Sequence, residues 1–165
     1  MKETISSFIR LVKHPLKFRL FLLYKLPAAY IAGVRVKGIS ADKAVVTVPY
    51  KWLSQNPFRS TYFACLSMAA EMSTGVLALA RVYRSKPDVS MLVTGLEAQF
   101  FKKAIDRSFF VCEDGAAFTR AVEETRATGE AREVKARSVG RNEAGEIVAE
   151  FVITWSFKRK GGNGQ

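Results

Sequence analysis

Histidine is almost missing from this chain: among 165 residues only His14 is one, beside Pro15 in the amino-terminal segment. A Ser-His-Asp or Cys-His site would have to recruit that residue, and a metal site would need carboxylates and cysteines almost alone, so neither is expected. Cysteine is scarce as well. Cys65 and Cys112 lack the spacing of a zinc site and are too few for a disulfide framework, which fits a reduced, intracellular setting. Acidic residues are thin at one end: the first 60 residues carry eleven Lys and Arg against Glu3 and Asp42, the remaining 105 fifteen against thirteen. The net charge of +11 is therefore regional and admits nucleic acid, an anionic membrane surface or a phosphate-bearing ligand. A clean secretory run is lacking too, because Arg10, Lys13, Lys17, Arg19 and Lys25 interrupt every apolar stretch. The expected location is the cytoplasm.

What is present is an ordinary soluble composition, 48% hydrophobic and 25% charged, of a size that suits one domain. Residues 56–81, NPFRSTYFACLSMAAEMSTGVLALAR, stand out. The nineteen residues Tyr62 to Ala80 contain one charged side chain, Glu71. A helix apolar all round is either a membrane span or enclosed by protein. A mid-helix carboxylate and the small residues Ala64, Ser67, Ala69, Ala70, Ser73, Gly75 and Ala78 favour enclosure against a sheet.

Residues 4–13 and 16–26 read as amphipathic helices split at Pro15, with Ile5, Phe8, Ile9 and Val12 apolar in the first and Leu16, Leu20 and Leu23 in the second, its face widened by Phe18, Phe21, Leu22 and Tyr24. They either pack on the domain or lie in a membrane interface. After Leu26-Pro27 the alternation of Val34 to Lys37 and of Lys43 to Tyr50 predicts a hairpin. Strands follow from Val89 through Ala104 and over 107–112, a helix over 115–128, and strands over 130–139 and 146–157. A tail from Lys158 is expected to be disordered. Six strands and one fully apolar helix call for a sheet wrapped round that helix.

The stretches LPAAYIAGVRVKGISADKAVVTVPYKW, NPFRSTYFACLSMAAEMSTG, LEAQFFKKA and RNEAGEIVAEFVITWSFK span most of residues 26–158. In order and spacing they resemble the hotdog-fold thioesterases, especially the DUF4442 branch of that superfamily. The resemblance implies an α+β hotdog fold, a curved six-stranded antiparallel sheet wrapped around a long central helix, with a helical segment over 1–26, the domain over 27–160 and a disordered tail over 161–165. It also implies a homodimer, with a dimer of dimers as a larger form, and an acyl-CoA or acyl-carrier thioester as substrate. No cofactor or metal is implied. The site would lie at the subunit interface beside the amino end of the central helix, with Asn56 as the amide side chain, the backbone N–H of Phe63 or Ala64 as oxyanion donor and Glu71 as carboxylate. Where such enzymes commonly have a His-Gly-Gly type turn, this chain has Tyr62-Phe63-Ala64.

Thioester hydrolysis needs a donor for the oxyanion and a group to activate water. Free N–H groups at a helix start supply the first. Glu71 would supply the second as general base or attack as nucleophile, with apolar surroundings raising its pKa; the alternative is a buried acid bonded for structural reasons. Asn56 either orients water or the carbonyl, or forms its Asn-Pro turn. Ser60 and Thr61 either cap the helix or touch substrate. Thr74 either bonds the carboxylate or bonds back to the Ala70 carbonyl. Cys65 reads as an inert thiol. Lys102 and Lys103, with Arg107, either hold coenzyme A phosphates or form a solvated edge. Three functions follow: a thioesterase, a non-catalytic acyl-thioester binder, and a membrane-surface protein acting through residues 1–26. Nucleic acid is not expected, since the amino-terminal aromatics sit among leucines and not in a stacking motif.

Overall fold

The computed structural model describes residues 2–160; the expected tail at 161–165 lies outside them. Helices α1 (Lys2–Lys13) and α2 (Pro15–Lys25) bend at His14. His14 is the N-cap of α2, its Nδ1 accepting from the Lys17 N–H at 3.3 Å. The lone histidine is thus used as a cap. Helix α1 buries Ile5, Phe8 and Val12 as its pattern predicts. Helix α2 departs from expectation: Phe18 and Leu22 point inward, while Leu16, Leu20 and Leu23 face out. Two apolar stripes compete on this helix, and the one carrying the phenylalanine ring fills the space over the domain.

Residues Pro27–Ala32 form a short helix, α3, between Leu26 and the strand expected from Val34, where the sequence reading placed no element. The Leu26-Pro27 pair acts as a start signal, since proline presets φ for a first helical position, and Gly33 at φ 84° ends the helix. Then come β1 (Arg35–Ile39), β2 (Ala44–Val48), a 3-10 turn at Trp52–Ser54, α4 (Phe63–Val82), β3 (Val89–Phe100), β4 (Ser108–Cys112), α5 (Gly115–Thr128), β5 (Arg132–Arg141) and β6 (Ile147–Arg159). Strand β3 ends before Ala104 because residues 101–104 leave the sheet, the Ala104 carbonyl accepting from Thr61 N and Thr61 Oγ1. Strand β6 runs on to Arg159, opposite Val89, so the chain is still ordered where a tail was expected from Lys158.

All six strands pair antiparallel in the order β1-β2-β4-β5-β6-β3. One face packs on α4, with α1 and α5 also against that helix. This is the wrapped-helix arrangement that the burial argument required. By length and composition α4 would be able to cross a bilayer, yet most of it is buried in protein. Its second half is tied down by polar bonds. Ser73 Oγ meets Ser138 Oγ at 2.8 Å, and Thr74 Oγ1 accepts from Trp155 Nε1 at 2.9 Å. Arg81, only 2% exposed, donates to the carbonyls of Leu77, Ala41 and Gly115 and to Thr119 Oγ1.

Candidate active site

Helix α4 presents one half-exposed stripe. Ala64, Ser67, Met68 and Glu71, spaced as one helical face, stay partly open while the residues around them are buried. The Glu71 carboxylate has no hydrogen-bond or ion-pair partner among the described residues, and burial pushes its pKa above the usual range. Its Oε1 lies over Gly75, 3.0 Å from where a Cβ would stand, and the Trp155 ring borders the same spot. The surrounding cavity of about 120 Å³ is lined by Phe18, Phe21 and Leu22 of α2 together with Met72 and Trp155. An acid in so apolar a cavity stays protonated further up the pH scale and ionises into a setting that solvates it poorly, which makes it a stronger base.

Two turns back, α4 begins without a side-chain cap, correcting the expectation that Ser60 or Thr61 would supply one. Thr61 is held by Ala104, and Ser60 by Asn56. The Phe63 and Ala64 N–H groups meet no acceptor among the described residues. Phe63, next to Ala64, lines a cleft of about 790 Å³ between the 55–63 segment and residues 100–104. Asn56, Ser60, Thr61, Phe63, Lys102 and Lys103 all line it. Asn56 is used locally: its Oδ1 accepts from the N–H groups of Phe58 and Ser60 and its Nδ2 lies 3.1 Å from Ser60 Oγ, so it builds the turn that forms the cleft floor. Lys102 is paired with Glu146 at 2.7 Å. Among the described residues Lys103 reaches the Phe58 carbonyl alone, at 3.4 Å.

The structure therefore gathers six of the nine sequence-predicted site residues in one cleft and leaves Ala64, Glu71 and Thr74 outside its lining. Thr74 does not serve Glu71's carboxylate; its hydroxyl donates to the Glu71 backbone carbonyl at 2.9 Å, one residue on from the expected Ala70, and accepts from Trp155. Glu71 lies eight residues beyond Phe63, about 12 Å along the helix axis.

The family model described as a domain of unknown function, DUF4442, matches residues 17–157. The chain belongs to the DUF4442 family. No curated protein matches it. Among solved structures, this DUF4442 chain is similar to a protein of unknown function from Chlorobaculum tepidum, 14% identical over 87% of this chain and 93% of that one, with a TM-score of 0.75. It is also similar to PA5026 of Pseudomonas aeruginosa, described as a probable thioesterase, 17% identical over 94% and 95% of the two chains, TM-score 0.70. A third is the thioesterase HI1161 of Haemophilus influenzae, 12% identical over 88% and 92%, TM-score 0.63. At these identities the likeness carries the hotdog fold.

Both DUF4442 cysteines are buried. Burial raises the Cys65 pKa, and pushes that of Cys112 up to about 12, so neither is a ready nucleophile. Sequence reasoning had no view of the α2 residues over Glu71, which come from the far end of the chain. Gly75 was the available signal: a glycine one turn after a buried acid leaves room for its carboxylate.

Proposed function

We propose that this protein hydrolyses acyl-CoA or acyl-carrier thioesters at a site completed by two copies of the chain. The observation that carries the reading is Glu71, an unpartnered carboxylate with a raised pKa on the half-exposed stripe of α4, two turns from two free N–H groups. Within one chain these parts stand too far apart to serve one carbonyl. Paired antiparallel about a two-fold axis between Ser67 and Met68, the stripe would bring Glu71 of one copy to Ala64 of the other. Strand β3 favours such a pairing: among the described residues it pairs with β6 alone, on one side, and it exposes Leu92, Leu96 and Phe100. An exposed apolar edge of this kind needs a partner.

In this reading the acyl carbonyl oxygen accepts from the Phe63 and Ala64 N–H groups, and the positive end of α4 stabilises the oxyanion. Glu71 removes a proton from water as that water attacks, and returns it to the sulfur as the C–S bond breaks and the thiol leaves. The open cleft would take the acyl-carrying group, with Lys103 as the cation at its mouth. The test is a panel of acyl-CoA substrates, with turnover by the wild-type chain expected and its absence across the panel counting against hydrolysis. A second reading, an acyl-thioester binder without turnover, is favoured by the Tyr62 and Phe63 rings, packed edge to face at 4.9 Å where a thioester must approach. A lipid retained in native mass spectrometry without turnover would select it.

Two further outcomes are expected. Leu96→Lys places a charge on the β3 edge and is expected to shift the mass in light scattering from twice 18.4 kDa to the single chain, with loss of turnover. Gly75→Ala would set a methyl 3.0 Å from Glu71 Oε1 and 3.2 Å from Trp155 Cζ2. Displacing the carboxylate is expected to lower kcat about tenfold or more. The urea midpoint should hold, since alanine favours the helix by about 1 kcal/mol.

A further inference from the structure

Helix α2 is apolar on both sides. Phe18 and Leu22 are buried in the domain, while Leu16 is 70%, Leu20 64% and Tyr24 80% exposed, with Leu23 beside them. Leu16, Leu20 and Leu23 follow one another at i, i+4 and i+7, so they form a single outward stripe. Beside this stripe, between the α1–α2 elbow and β1, lies a groove of about 540 Å³. Its walls are apolar, from Val12, Leu22 and Ile39, and its polar lining includes Lys13, Arg19, Arg35 and Lys37 without a carboxylate. Arg19 joins the two features: on the helix it neighbours Leu16 and Leu23, and it lines the groove. Its guanidinium lies 4.1 Å from the Tyr30 ring centre, and its Nη1 is buried with no hydrogen-bond partner among the described residues. A buried, unpartnered guanidinium nitrogen is costly and is suited to an incoming oxyanion.

We propose that this face docks on an anionic phospholipid surface, with Leu16, Leu20, Leu23 and Tyr24 entering the interface and lipid phosphates meeting the groove through Lys13, Arg19, Arg35 and Lys37. Charge selects the partner. Between Glu3 and Asp42 the sequence has seven Lys and Arg and no Asp or Glu. A second copy meeting this face with the same face would set cations against cations, whereas an anionic bilayer supplies the missing charge and an apolar phase together. The proposal is independent of whether Glu71 turns over a thioester.

The test is co-sedimentation of the full chain with vesicles of phosphatidylcholine alone and of phosphatidylcholine mixed with phosphatidylglycerol. Binding to the mixed vesicles is expected, weakening as salt is raised. Arg35→Ala and Lys37→Ala, both at exposed positions, are expected to cut it about fivefold each. The Leu16→Ser/Leu20→Ser double variant removes only exposed side chains and is expected to cut it about tenfold or more while the circular dichroism spectrum is kept. Absence of binding, equal binding to the neutral vesicles, or variants that bind as the wild type does would overturn the proposal. So would a change in oligomeric mass on the double leucine change, which would assign the stripe to a protein contact. The Glu71→Gln chain should bind vesicles as the wild type does, which keeps this outcome separate from that of the catalytic reading.

Discussion

Replacing Glu71 by Gln is expected to lower kcat on a responsive acyl-CoA by about 10²–10⁴-fold, the usual contribution of a positioned base. The amide keeps the shape of the side chain and cannot take a proton, so the dimer and substrate binding should persist. Because burial raises the pKa of Glu71, the acid limb of kcat/KM for the wild type should lie above the ordinary carboxylate value of 4.5. Stability should move the other way. A carboxyl whose pKa is higher folded than unfolded binds more protons in the native state, so stability falls as pH rises from the unfolded pKa through the folded one. Glu71→Gln removes that loss. The variant should therefore unfold at higher urea than the wild type at neutral pH, and the gap should close in acid. Retained turnover would remove Glu71 from the mechanism; a variant less stable at neutral pH would show that the carboxylate is bonded after all.

Arg81→Leu is expected to destabilise the chain by about 3–5 kcal/mol, read as a fall in the urea midpoint. The side chain is almost wholly buried, and its donors serve the Leu77, Ala41 and Gly115 carbonyls and the Thr119 hydroxyl. Leucine restores apolar volume but leaves those acceptors short of donors. Arg81→Lys should recover only part of the loss, since one ammonium on a flexible stem lacks the fork geometry that spans three carbonyls. A midpoint unchanged in both variants would mean that water takes over the guanidinium's place.

The central helix, the hairpins and α5 were legible because their apolar periods are local and unambiguous. Glu71 was legible as the only charge in an apolar run. Helix α3 was not, since Leu26-Pro27 reads equally as a break and as a helix start, and the difference lies in whether the following residues find cover. The orientation of α2 was hidden for a related reason: two apolar stripes are written on one helix, and periodicity cannot say which of them meets the domain. The cleft was half legible. Residues 56–63 are contiguous, so their neighbourhood is assured, but the meeting with residues 100–104 depends on where β3 leaves the sheet. That Asn56 spends its amide on its own turn, and Thr61 on Ala104, follows from geometry over a few ångströms that spacing does not encode.

The ties that secure α4 are unevenly placed. Ser73, Thr74 and Arg81 bond it to β5, β6 and the start of α5, all in its second half, while the turns from Phe63 to Ala70 carry the open stripe. The start of the helix is held instead through the chain just before it, the Tyr62 N–H on the Ser54 carbonyl and Thr61 on the Ala104 carbonyl. Side-chain adjustments to an incoming ligand would fall at Phe63 and Ala64, between that anchor and the bonds of the second half, and leave the sheet beneath undisturbed. Fold and site thus occupy different halves of one element, so changes at the helix start can retune the cleft without loosening the domain.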